Sequence, residues 1–104
     1  MIITTSDLIP EKEITETIGL VKGNTVRARN IGRDIFAGLK NIVGGEITEY
    51  TKLMTTARDE ALQRLITEAE KLNTDAIIDL RFTTSNVMQG ASKILAYGTA
   101  VKLK

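Results

Sequence analysis

Residues 46–72 read EITEYTKLMTTARDEALQRLITEAEKL, and the spacing of apolar side chains in this run decides the fold. Ile47, Tyr50, Met54, Ala57, Ala61, Leu65, Ala69 and Leu72 step by three or four residues, the interval that stacks side chains on one face of an α-helix. Leu53, Leu62 and Ile66 widen the stripe, while Glu49, Lys52, Arg58, Asp59, Gln63, Glu70 and Lys71 fill the opposite face. The pattern predicts one long helix from about Glu46 to Leu72, with Asn73 as an acceptable stop. Glu60–Arg64 and Arg64–Glu68 are four apart and can pair on its surface, for a few tenths of a kcal/mol each.

Working upstream, Gly44-Gly45 ends a short predicted helix that Asn30 caps and that Ile31, Ile35, Leu39 and Ile42 pattern. Before it, Ile14 to Arg29 is β-rich, with Ile14, Ile18, Leu20, Val26 and Ala28 in one parity. Lys22-Gly23-Asn24-Thr25 interrupts this run, either as a hairpin turn or as a bend in one long strand at Gly23. Ile2 to Thr5 reads as a short strand. Downstream, Ala76–Met88 and Ala91–Leu103 read as two strands joined by Gln89-Gly90. A two-residue loop sets Met88 opposite Ala91, hence Phe82 opposite Tyr97 and Ile78 opposite Val101, with these apolar sets on one buried face. On that parity Tyr97 belongs to the core. The whole is one α+β domain over residues 1–104, a mostly antiparallel sheet packed by one short and one long helix.

Composition narrows the chemistry. Hydrophobic residues make up 42% and charged residues 26%, an ordinary globular balance. No apolar run approaches the roughly 20 residues needed to span a bilayer, and the N-terminus carries no basic or apolar leader pattern, so a cytoplasmic, non-membrane protein is expected. There is no cysteine and no histidine. Soft metals lose their usual ligands, so any metal is expected to be a hard divalent ion held by carboxylates and carbonyls. A net charge of +1 and four aromatic residues argue against nucleic acid as a partner. No nucleophile–base pair can be assembled, and an enzyme is not expected.

The long helix also bears on assembly. At about 27 residues it is about 40 Å long, against a diameter of about 33 Å for a compact domain of this size. The stripe fades toward neither end, so part of it is expected to be covered by a second subunit.

Several runs carry a family resemblance: Asn30-Ile31-Gly32-Arg33-Asp34-Ile35, Asn41-Ile42-Val43-Gly44-Gly45-Glu46 with Tyr50-Thr51, Ala57-Arg58-Asp59-Glu60-Ala61, Arg81-Phe82, and Ala96-Tyr97-Gly98-Thr99-Ala100-Val101. Together they resemble the YbjQ-like family of small bacterial and archaeal proteins over nearly the whole chain. The resemblance implies a dodecin-like β-α-β-β subunit, a homo-oligomeric ring that is commonly a pentamer, and heavy-metal binding.

Three candidate sites follow from the residues. Gly44 and Gly45 lead into the main helix, where free backbone amides can receive an anion; the same pair also makes an ordinary turn between helices. Glu46 and Glu49 share the first turn, with Tyr50 four residues after Glu46; they are the candidate ligands for a divalent metal, or else solvated carboxylates. Arg58 and Arg81 are candidate grips for an anionic ligand, or members of surface ion pairs. The expected function is binding of a metal or small ligand at a subunit interface, with a ligand-free scaffold as the alternative.

Overall fold

The structure, a computed structural model, describes the backbone of residues 1–28, 48–88 and 91–104, and the side chains of 1–26, 54–85 and 92–104. Its elements are β1 (Ile2–Ile3), β2 (Ile14–Ala28), α1 (Thr48–Lys71), β3 (Ala76–Met88) and β4 (Ala91–Leu103). The strands form one mixed sheet in the order β1-β3-β4-β2, with β1 parallel to β3 and the three long strands antiparallel. The short helix expected after Asn30 lies outside the described residues.

Helix α1 follows the expected period. Ala57, Ala61, Leu65 and Ala69 are fully buried against β2 and β4, with Met54, Leu62 and Ile66 half-buried beside them. Over this part of the stripe the chain's own sheet supplies the cover; Leu72 is exposed just beyond it. Helix α1 ends as expected at Asn73, which takes φ 55° while the Thr74 N–H donates to the Ala69 carbonyl and the Asn73 N–H to the Glu70 carbonyl. That is a Schellman stop with asparagine in the left-handed position usually given to glycine. Glu60 and Arg64 form the expected ion pair at 2.6 Å, whereas Glu68 pairs with Lys71 at 3.3 Å.

Gly23 makes no turn. Strand β2 runs unbroken through it, and its one face lies directly under α1. A Cβ on Gly23 would fall against the Ala61 carbonyl oxygen and the Leu65 amide nitrogen, closer than real contacts allow. Two residues on, the Thr25 hydroxyl donates to the Ala57 carbonyl at 3.1 Å, a buried tie between strand and helix. The irregularities in β2 sit earlier, beside Thr15 and Ile18, where Gly19 adopts φ 143°. Each shift turns the strand over and the two cancel, so Ile14, Leu20 and Val26 share the face away from the helix, Leu20 and Val26 exposed, while Val21, Gly23 and Thr25 face the helix. The single parity expected from Ile14 to Ala28 is corrected at Ile18, which lies between the shifts and turns to the helix.

The β3–β4 hairpin forms with Met88 opposite Ala91, but its register slips twice. Bulges at Val87 and at Asp79-Leu80 each displace the pairing, so Phe82 faces Ala96, Tyr97 faces Arg81 and Ile78 faces Thr99. Each extra residue flips the side chains beyond it to the other face of the sheet. Ile94, Ala96 and Ala100 consequently pack under the helix, Tyr97 is half-buried on the far side, and Phe82 is 42% exposed. Neither aromatic is a core residue. Asp79 marks the second bulge with φ 54°.

A second, smaller cluster, Ala76, Ile78 and Val101, lies on the face away from the helix under Ile9, Ile14 and Leu103. The N-terminal segment also edges β3: the Thr4 N–H donates to the Ile77 carbonyl at 2.9 Å and the Leu80 N–H to the Thr4 carbonyl at 3.1 Å. Among the described residues, one end of the sheet is thus covered on both faces and the other by the helix alone. The result is elongated, 54 × 24 × 16 Å, with a radius of gyration of 17.3 Å against about 13 Å for a compact chain of this length.

Thr74 is 9% exposed, and its hydroxyl has no hydrogen-bond partner among the described residues. An unmatched buried hydroxyl costs about 1–3 kcal/mol. Thr74→Val, nearly the same shape, is therefore expected to be neutral or to stabilise the protein in urea unfolding, by up to about 1 kcal/mol. A loss above about 1 kcal/mol would show that the hydroxyl is matched after all.

Candidate functional site

The predicted site residues do not converge. Gly44, Gly45 and Glu46 lie outside the described residues, and of Glu49 only the backbone position, in the first turn of α1, is given. Arg58 is exposed on the solvent side of the helix, next to the buried Ala57. Arg81 lies on the opposite face of the sheet, because its cross-strand partner Tyr97 alternates with the helix-facing Ala96 and Gly98. The sheet separates the two arginines.

Arg81 instead has neighbours that sequence reasoning missed. Tyr97 stands between Arg81 on β3 and Lys22 on β2, so the three form one row across three strands. The next row is Thr83, Leu95 and Asn24, and the one after it Ser85, Lys93 and Val26. These rows hold three cationic side chains and no carboxylate. The nearest carboxylate along β3 is Asp79, at the bulge. Arg81 is held by its Nη1, which donates to the Thr5 carbonyl at 2.8 Å and to the Leu80 carbonyl at 2.9 Å. Both acceptors are neutral main-chain carbonyls on the edge of β3 away from β4. Neither Lys22, Arg81 nor Lys93 has an ion-pair partner among the described residues.

Two hollows border the helix among the described residues. A groove of about 580 Å³ follows the edge of β2, between Leu20, Lys22 and Asn24 on the strand and Arg64, Glu68 and Leu72 at the helix, so it carries both signs of charge. Arg64 partly closes it, donating from Nη1 to the Asn24 carbonyl at 2.6 Å. A cleft of about 480 Å³ at the C-terminal end of α1 gathers Glu70, Asn73, Asp75 and Lys102. There the Asp75 carboxylate already accepts the Leu103 N–H at 2.9 Å. No group of three or more acidic, histidine or cysteine side chains could hold a metal among the described residues. With neither cysteine nor histidine in the chain, this donor set does not fit a soft metal.

Among the described residues, the fold is that of a small α+β protein, one helix on one face of a mixed four-stranded sheet and a row of exposed cationic residues on the other. A family model described as "Putative heavy-metal-binding", that of YbjQ, matches residues 1–104, and the chain belongs to that family. A "UPF0145 protein" of Archaeoglobus fulgidus is 59% identical over 104 residues, covering 100% of this chain and 96% of that one. Another from Psychromonas ingrahamii is also 59% identical, covering 100% and 99%. Among solved structures, a protein of unknown function of the DUF74 family from Pediococcus pentosaceus superposes with a TM-score of 0.70 at 21% identity, covering 100% of this chain and 98% of that one. At that identity the likeness speaks to the fold. Among the described residues, no helix is long and apolar enough to cross a membrane.

Proposed function

We propose that this protein works as a homo-oligomeric ring, a pentamer by its family resemblance, that binds a small ligand between subunits. The observation that carries the proposal is the incomplete cover of the sheet. Leu20, Val26 and Phe82 are exposed on a chain whose radius of gyration is 17.3 Å. Leu20 and Val26 lie on β2, Phe82 lies on β3, and both strands have unpaired edges among the described residues beyond the N-terminal segment. Open edges and exposed apolar side chains together mark a surface that a second copy covers. A ligand on the open face or in the groove along β2 would then lie at a subunit boundary.

The ligand need not be the heavy metal of the family's description, because the chain lacks the thiolates and imidazoles that bind one. A hard cation at Glu46 and Glu49 is the form of metal binding its chemistry allows. The test pairs two measurements. Sedimentation velocity at micromolar concentration is expected to give a mass several times 11.4 kDa. A thermal-shift panel of divalent cations and small anions is expected to contain at least one stabilising ligand, since anything bound only to the folded state raises its stability. A monomeric mass removes the ring, and a flat panel removes the ligand.

A further inference from the structure

We infer that the contact between copies is a knob in a groove: Phe82 of one subunit enters the groove between β2 and α1 of the next. The inference rests on the ring proposed above and names the two surfaces that build it.

Knob and groove lie at opposite edges of one sheet, on the same side of it. Phe82 stands opposite Ala96, which packs under α1, so it projects from β3 on the helix side, where it is 42% exposed. The helix sits over β2 and β4, close enough to β2 that Gly23 has no room for a Cβ, and Phe82 lies beyond its cover. Main-chain pairing of the N-terminal segment with β3 ends at Leu80 among the described residues, so Phe82 follows directly on the covered part of that edge. At the other edge, the groove of about 580 Å³ is lined by Gly23, Arg64 and Thr67 and by the exposed Leu20 and Leu72.

Within one chain the two cannot meet. Strands β3 and β2 flank β4, so they are two strand spacings, about 10 Å, apart. The lining of the groove holds no residue of β3 or β4, because it follows the outer edge of β2. Two copies set edge to edge, with their helices on the same side, bring β3 of one beside β2 of the next. Phe82 then points into the groove.

The groove suits an aromatic ring better than an ion. Arg64 donates from Nη1 to the Asn24 carbonyl and from Nη2 to Glu60, each at 2.6 Å, yet its side chain stays 54% exposed. A guanidinium whose edge donors are committed offers a ring its face. Lys22 and Arg64 are matched by Glu68 and by the Glu60 bonded to Arg64, so the lining selects no free ion of either sign. Leu20 and Leu72 gain apolar cover from the same ring. Each copy gives one knob and receives one, a head-to-tail contact that closes on itself as a ring.

Sedimentation velocity of Phe82→Thr, Thr67→Trp and their equimolar mixture tests this, under the conditions that hold the parent as a ring. Phe82→Thr removes the knob and keeps a strand-forming residue, while Thr67→Trp fills the groove from an exposed helix position. Each variant alone is expected near the 11.4 kDa of one chain. In the mixture, the knob of the Thr67→Trp chain meets the groove of the Phe82→Thr chain once only. A dimer and nothing larger is therefore expected, followed up to the highest soluble concentration because one contact lacks the mutual support of a closed ring. Phe82→Leu keeps an apolar knob and is expected to keep the ring, dissociating at a concentration at least tenfold higher than the parent. A Phe82→Thr protein with the parent's mass overturns the contact and leaves the ring standing. So does a mixture that rebuilds the full ring, and a mixture that stays monomeric at every concentration overturns the contact as well. A monomeric parent removes the ring and this contact with it.

Discussion

Gly23→Ala is expected to cost at least about 3 kcal/mol of stability, a methyl group's worth of volume with an effect usually seen for large core deletions. The reason is what the new Cβ meets. Its neighbours would be the Ala61 carbonyl oxygen, the Leu65 amide nitrogen and, at 2.9 Å, the Arg64 carbonyl carbon. These are main-chain atoms inside a continuous helix, and none can swing aside as a side-chain tip would. Either α1 lifts off β2, which opens the row of Ala57, Ala61, Leu65 and Ala69 to water, or β2 bends and breaks its ladder with β4. Both routes cost more than the usual one to three kcal/mol of overpacking. Gly19→Ala provides the contrast. Nothing lies within 4 Å of a Cβ there, so only the φ of 143° resists it, and a loss of about 1–3 kcal/mol is expected. Urea unfolding at one fixed protein concentration measures both. A Gly23→Ala variant within about 1 kcal/mol of the parent would mean that helix and strand do not approach as closely as described.

The same glycine shows where sequence reasoning runs out. Its presence is plain in the chain, and so are the two meanings a lone glycine in a β-rich run carries, a turn or an irregularity within one strand. The third meaning, close approach of another backbone, depends on a helix some forty residues away, and no local pattern announces it. Helix α1 was readable for the opposite reason. Its stripe repeats across six turns, so a few ambiguous positions do not blur the period, and Asn73 stops it with a known geometry.

The hairpin falls between these cases. Gln89-Gly90 joins two apolar runs, and Met88 does face Ala91. Parity then carries the pairing only as far as the first bulge. Val87 and the Asp79-Leu80 pair are extra residues with no glycine or proline to mark them, and Asp79 takes a left-handed φ that aspartate tolerates without advertising. The error propagated to the site. Arg81 is legible as an exposed cation, but its neighbours depend wholly on register, and unbroken parity carries Tyr97 into the core and leaves Lys22 apart from both. Arg58 was grouped with Arg81 on charge alone, and the sheet between them could not be seen from spacing.

Leu65→Ala is the deletion expected to do most damage. Leu65 is fully buried, among the largest side chains so placed, and it sits on the helix where Val21 and Gly23 press from β2 and Ala96 and Ala100 from β4. Truncation removes buried apolar surface and leaves a cavity. The cluster around it is anchored by the small side chains Ala57, Ala61, Ala96 and Ala100 and by β-branched Val21, Ile77 and Ile94, whose few rotamers limit refilling. Losses for such changes run from about 2 to 5 kcal/mol, and the rigid surroundings argue for the upper half. Leu62→Ala, half-buried at the margin of the same stripe, is expected to lose less than half as much, since water already reaches part of that side chain. For a domain of this size each kcal/mol shifts the melting temperature by about 4–8 °C, so Leu65→Ala should melt at least about 12 °C below the parent. Equal losses at the two positions would mean that a neighbouring copy buries Leu62 in solution. In that case the Leu62→Ala loss should fall as the protein is diluted through its assembly range, while the Leu65→Ala loss, set within one chain, should not.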